Sequence, residues 1–234
     1  MSKINKIIER KGEKTMKTKS RRKLTALFFA ICMALSFVPI PAFAEDSAVN
    51  NATQLKKALE DANRAEIKLG GNIELSTGFD VERTVTLDLN GYTLSCSRTD
   101  EDIFTIRSNG NLTVKDSRTG GKIDGKSKNC GFNVKGGTLT LESGSIVNCT
   151  STGLDGGAVD ISNNGKFVMN GGAIMNCKAI DDGGAVDIGS GCTFIMNGGT
   201  IGNCRADDDG GAVFIKQRGT FELNGGTIQK CSAG

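Results

Sequence analysis

Gly156-Gly157-Ala158-Val159, Gly183-Gly184-Ala185-Val186 and Gly210-Gly211-Ala212-Val213 are one phrase written three times. Between the copies lie Phe167-Val168-Met169-Asn170, Phe194-Ile195-Met196-Asn197 and Phe221-Glu222-Leu223-Asn224. Each is followed by Gly-Gly, a small residue and Ile, and then by Cys177, Cys204 or Cys231. The spacing is 27 residues throughout. A strict period in this range means stacked supersecondary units, none able to bury its apolar residues alone.

The pattern extends towards the N-terminus. Phe104-Thr105-Ile106, Phe132-Asn133-Val134, Val159-Asp160-Ile161, Val186-Asp187-Ile188 and Val213-Phe214-Ile215 follow one another at steps of 28, 27, 27 and 27. A second strand recurs at Leu112-Thr113-Val114, Leu139-Thr140-Leu141 and the three F-x-x-N segments, and a third at Ile146, Ile174, Ile201 and Ile228. Extra residues around Ser117 to Gly120 displace the third strand near Ile123 and should bulge from the surface. Alternating apolar residues at Ile67, Leu69, Ile73, Leu75, Val85, Leu87 and Leu89 start the series, punctuated by Gly70-Gly71, Asn90-Gly91 and Asn109-Gly110 turns.

Three short strands per coil, each pairing in parallel with the next coil about 4.8 Å away, define an all-β parallel β-helix. The crossover rule makes it right-handed. A propeller is excluded, because a blade needs about 40 residues and four strands. Like residues then stack: Ile over Ile, Phe over Phe, and Asn over Asn as an internal amide ladder.

Three segments precede or build this solenoid. Residues 1–44 read as a signal peptide: Lys17, Lys19, Arg21, Arg22 and Lys23, an apolar run from Leu24 to Val38, and Ala42-Phe43-Ala44 as cleavage site. The run is short for a membrane span of about 20 residues. Export to a bacterial cell surface or medium is the expectation, with no membrane span in the mature chain. Residues 45–66 hold a linker and an amphipathic capping helix, with Leu55, Ala58, Leu59 and Ala62 on one stripe, Asn51 as N-cap and Gln54 as its partner. Residues 67–234 form the β-helix, which reaches Gly234 inside a coil. A missing C-terminal region carrying an anchor or further coils is therefore expected, and the exposed end should make the chain poorly behaved by itself.

Composition narrows the function. The 234 residues include 32 glycines, no His and no Trp. The formal charge of +3 is concentrated in residues 1–44, which hold ten basic and two acidic residues; the remainder has 19 basic and 24 acidic residues, a net of −5. Nucleic acid and anionic lipid are not expected partners.

The combination of G-G-A-[ILV] with F-x-x-N, from Gly156 to Asn224, resembles the repeats of the polymorphic outer-membrane protein family of surface autotransporters. The resemblance implies a β-helical passenger acting as an adhesin, with a host or cell-surface protein or glycan as partner and both tetrapeptides implicated in adhesion. Read from the residues alone, Gly156, Gly157, Gly183, Gly184, Gly210 and Gly211 make tight corners. Phe167, Phe194 and Phe221 stack as a core ladder, and Asn170, Asn197 and Asn224 bond from coil to coil.

The repeated acids are the candidate binding residues. Asp155, Asp182 and Asp209 precede Gly-Gly, with Asp181 and Asp208 beside them. Three readings stay open: solvated Asp-Gly turns, a calcium site at Asp155, Asp182 and Asp209, and a carboxylate pair of a polysaccharide lyase or glycoside hydrolase of the pectate-lyase-like β-helix type. No catalytic residue is assigned; an enzyme is disfavoured by the lack of His, of Trp for sugar stacking, and of a long loop to wall a cleft beside the acids. Cys149, Cys177, Cys204 and Cys231 stack as well. Buried thiols, strained inter-coil disulfides and metal ligation are the options, and four stacked positions do not make a tetrahedron.

Overall fold

The computed structural model describes residues 47–99, 101–153 and 156–234. The signal segment, Asp100, Leu154 and Asp155 lie outside the described residues, so the cleavage site and one of the repeated acids carry no structural account.

The described chain is a parallel β-helix. One seven-stranded sheet runs β1 (Glu66–Lys68), β4 (Thr84–Asp88), β7 (Asn111–Lys115), β10 (Thr138–Leu141), β14 (Lys166–Met169), β18 (Thr193–Met196) and β22 (Thr220–Leu223). A second runs β2 (Ile73–Leu75), β5 (Thr93–Cys96), β8 (Lys122–Asp124), β11 (Ser145–Val147), β15 (Ala173–Met175), β19 (Thr200–Gly202) and β23 (Thr227–Gln229). A third has six strands: β3 (Phe79–Val81), β6 (Phe104–Ile106), β9 (Phe132–Lys135), β13 (Val159–Ser162), β17 (Val186–Ile188) and β21 (Val213–Ile215). All these pairings are parallel, each strand to its counterpart one coil on, so the register places Phe167 beside Phe194 and Ile174 beside Ile201.

The core is a set of ladders. Phe167 and Phe194 stack at 4.7 Å between ring centroids, Phe194 and Phe221 at 4.9 Å, and Phe104 and Phe132 at 5.8 Å. Offset stacks at such spacing contribute beyond the area they bury. Cys149, Cys177 and Cys204 are buried thiols beside the Ile ladder, and Cys231 is half-buried. Burial, with the neighbouring Cys149 thiol adding to it and Cys204 working against it, pushes the Cys177 thiol well up, which keeps it protonated and unreactive. The residue before each cysteine turns the corner: Asn148, Asn176, Asn203 and Lys230 have φ of 52°, 58°, 54° and 53°. Asn enters this left-handed region more readily than other non-glycine residues.

Two features depart from the three-strand coil. A short fourth sheet, β12 (Thr150–Ser151), β16 (Lys178–Ala179) and β20 (Arg205–Ala206), follows the cysteine ladder. It exists because the corner before the third sheet lengthens along the chain. That corner is residues 76–78, 97–103 and 125–131 in the early coils, then 148–158, 176–185 and 203–212. The other departure is the insertion at 116–121, which is exposed from Ser117 to Gly120. Two acids tie it down. Asp88 Oδ1 accepts from Ser117 N and Asn90 N, and the Asp116 carboxylate accepts from Gly91 N, Arg118 N and Gly121 N.

At the N-terminal edge, Val49 bonds to Lys68 O at 2.8 Å and accepts from Gly70 N at 2.8 Å, adding a bridge beside β1. The stretch read as a linker thus already pairs with the solenoid. Helix α1 (Ala52–Glu60) buries Leu55, Ala58 and Leu59 against β1 and β2. Asn51 Oδ1 accepts from Gln54 N at 3.0 Å, and Gln54 Oε1 reaches back to Asn50 N rather than to the cap's own amide. Arg83 holds the other helix end, donating to Ala58 O and Leu59 O at 2.7 Å each. At the last coil, Ile215, Leu223 and Ile228 are 46%, 57% and 36% exposed, whereas their counterparts Ile188, Met196 and Ile201 are fully buried. No helix among the described residues is long and apolar enough to cross a membrane.

Candidate functional site

The repeated acids sit on the lengthened corner, and their contacts are with the neighbouring coil. Asp182 Oδ1 accepts from Asp209 N at 3.0 Å, while Asp208 N donates to the main-chain Asp181 O at 3.1 Å. Asp207, the third acid of the last corner, pairs with Lys178 Nζ at 2.7 Å and Arg205 Nε at 3.3 Å. The Lys178 contact leads in holding its carboxyl below the usual range. Asp181 and Asp182 are half-buried, and Asp208 and Asp209 are exposed. Among the described residues, no group of three or more Cys, Asp or Glu is placed to hold a metal ion.

The glycines after these acids allow backbone to lie on backbone. Gly183 and Gly210 have φ of 67° and 63°, and a β-carbon on Gly184 would fall onto the carbonyl oxygen of Gly211. Gly156 and Gly183 lie across the third sheet: a β-carbon on either would meet Asp187 N, at 2.5 and 3.0 Å. The corner therefore covers the outward row of that sheet.

The F-x-x-N asparagines form their ladder on the outside of the solenoid, not within it. Asn224 donates to Asn197 Oδ1 at 2.9 Å, Asn197 to Asn170 Oδ1 at 2.8 Å, and Asn170 to Glu142 Oε1 at 2.8 Å, all at exposed positions. Asn170 and Asn197 follow the second inward residue of their strands, Met169 and Met196, and begin the turn, so their side chains point to solvent.

A cleft that the repeat motifs do not mark lies on the third sheet. Its outward row is Asp80, Thr105, Asn133, Asp160 and Asp187, each in register with the next. Asp160 and Asp187 are buried, with Lys216 Nζ on Asp187 Oδ2. Where the corner is still short, the row opens into a cleft of about 570 Å³, floored by Asp80, Thr105 and Asn133. One wall is Thr77, Gly78, Glu101 and Asp102; another is Thr150 to Gly153, the start of the longer corner. A second hollow of about 610 Å³, against α1, shares Thr77, Gly78 and Asp80 with it.

The cleft wall is built by hydrogen bonds. Glu101 Oε2 accepts from Thr77 Oγ1 at 3.0 Å and Gly78 N at 3.1 Å, and its Oε1 meets Arg98 Nε at 3.0 Å. The Gly78 amide leads in lowering the Glu101 pKa, against a smaller effect of burial, with Thr77 and Arg98 adding to it. Asn133 is 5% exposed; its Nδ2 donates to Asp102 Oδ2 at 2.9 Å, while Oδ1 has no hydrogen-bond partner. A sequence signal for this cleft did exist. Phe79-Asp80-Val81 matches the third-strand pattern, and the polar centres of successive third strands fall on one face once the register is known.

Compared with protein-family models, curated proteins and solved structures, the chain matches none. The likeness to polymorphic outer-membrane repeats rests on the tetrapeptides themselves.

Proposed function

We propose that this chain is an exported bacterial surface module of the adhesin type, which presents a ligand-binding face on a β-helical scaffold and does no chemistry. The observation that carries this reading is the use of the repeated polar residues. Asn170, Asn197, Asn224 and Asp182 hydrogen-bond to the adjacent coil, as a long rigid display scaffold requires. The basic and apolar segment before residue 45 and the tetrapeptide resemblance support export and surface display. Host or cell-surface proteins and glycans are the partner classes, and calcium at the repeated corner is not needed for the scaffold.

A second reading has one observation in its favour. Asp160 and Asp187 are side by side on adjacent strands, with Lys216 on Asp187, the residue types of a polysaccharide lyase or hydrolase. Their burial beneath the corner works against access by a polymer. The discriminating experiment coats beads with the full chain and measures retention on cells and on glycan-coated surfaces, while the supernatant is assayed for new reducing ends and unsaturated products. Retention without product supports the binding module. Product formation that Asp187→Asn abolishes overturns it.

A further inference from the structure

We infer that the cleft floored by Asp80, Thr105 and Asn133 is a binding site for a neutral, hydroxyl-rich ligand, a short uncharged oligosaccharide. The inference deepens the reading of the chain as a binding module and rests on it.

The volume, about 570 Å³, falls within the range of roughly 300–1,000 Å³ typical of ligand sites. The lining decides the class of ligand. It is polar, with hydroxyls from Thr77, Thr105 and Thr150 and carboxylates from Asp80, Glu101 and Asp102; Cys130 is its one apolar side chain. A ligand held by apolar contact finds no wall here.

Charge excludes two further classes. Anionic sugars and phosphates would meet Asp80, Glu101 and Asp102, with the two nearby arginines already engaged by Asp80 and Glu101. A strongly cationic ligand would find those carboxylates already balanced: Arg107 pairs with Asp80 at 3.1 Å, Arg98 with Glu101 at 3.0 Å, and Lys135 lines the same cleft. What remains is a surface rich in acceptors with little net charge, which suits the many hydroxyl donors of a neutral sugar.

Asn133 is the central group. Its Nδ2 is committed to Asp102, which fixes the amide so that Oδ1 is the atom without a partner. A buried carbonyl left unsatisfied is costly, and such a group in a native structure calls for an explanation. Asn133 lines the cleft, so its carbonyl is the floor group that a ligand hydroxyl would satisfy. Thr105, the adjacent rung, offers both a donor and an acceptor beside it. The site is formed where the corner changes length between 125–131 and 148–158, so it is not a feature of every coil.

The test uses the full chain on an immobilised panel of neutral, uronate-bearing and amino-sugar oligosaccharides, with calorimetry on any hit. Binding of neutral oligosaccharides is expected, weakened at least tenfold by Thr105→Val and by Asn133→Leu and unchanged by Asn197→Ala on the opposite ladder. Circular dichroism and melting temperature confirm folding, and Thr105→Val, a half-buried isosteric change, keeps the test valid if Asn133→Leu misfolds. Binding only of amino sugars, binding only of uronates, or equal binding by the cleft variants overturns the inference. Retention on cells with no oligosaccharide bound overturns it while leaving the binding-module reading intact; product release overturns that reading instead.

Discussion

Asn197 donates its side-chain amide to Asn170 Oδ1 at 2.8 Å, and Asn224 repeats the contact on Asn197 at 2.9 Å, so one exposed ladder clamps three coils. Asn197→Ala removes both contacts. At an exposed site each hydrogen bond contributes about 1 kcal/mol, so urea unfolding should show a loss of about 1–2 kcal/mol with unaltered m-value. Retention on cells or glycans should not change, because the ladder is scaffold.

Gly184 lies against Gly211 and the backbone of Arg205. Gly184→Ala forces rigid backbones apart and should cost more than about 3 kcal/mol, read as loss of soluble folded protein. Gly120 is the contrast: its φ is 99° and nothing lies within 4 Å of a β-carbon there. Gly120→Ala meets only backbone strain, about 1–2 kcal/mol.

Phe194 is stacked on both faces, at 4.7 Å by Phe167 and 4.9 Å by Phe221. Truncation to Ala should cost about 3–5 kcal/mol. Phe221→Ala should cost less by the same measurement, since Phe221 is only partly buried.

Asp88 predicts a pH dependence. Burial works against its charged form, but donation from Ser117 and Asn90, with Lys68 nearby, outweighs this and holds its pKa below the usual carboxylate value. A carboxylate whose pKa is lower folded than unfolded stabilises the fold above its unfolded pKa, and this is lost as pH falls through the folded value. Melting temperature should therefore be flat near neutrality and fall below about pH 4. Asp88→Ala should lower stability at pH 7 by about 2 kcal/mol and flatten that acid limb.

Asp182 accepts from Asp209 N, a contact that offsets part of the corner's charge from within the chain. Millimolar calcium should leave the melting temperature unchanged. A calcium-dependent rise that Asp182→Ala removes would place an ion at the corner.

The fold was legible because the 27-residue period repeats both the apolar positions and the corners, so one coil predicts the next. Phe167 over Phe194 and Ile174 over Ile201 follow directly from the sequence spacing. The Asn ladder shows where such reasoning stops: the period says that Asn170 and Asn197 stack, but not on which side of the wall. The acids were legible as a row, whereas the hydrogen bond of Asp182 to the next backbone depends on how the corner closes. The cleft was least legible, because Asp80, Thr105 and Asn133 differ in identity and lie 25 and 28 residues apart. A search for repeated letters passes over a site formed where the repeat changes.

The most direct test of the account is calorimetry of the full chain with a pool of neutral oligosaccharides, read for binding and turnover in the same cell. A saturating isotherm with no continuing heat, weakened by Thr105→Val and untouched by Asn197→Ala, is the result predicted. A sustained heat flow that disappears in Asp187→Asn would contradict it and make the chain an enzyme.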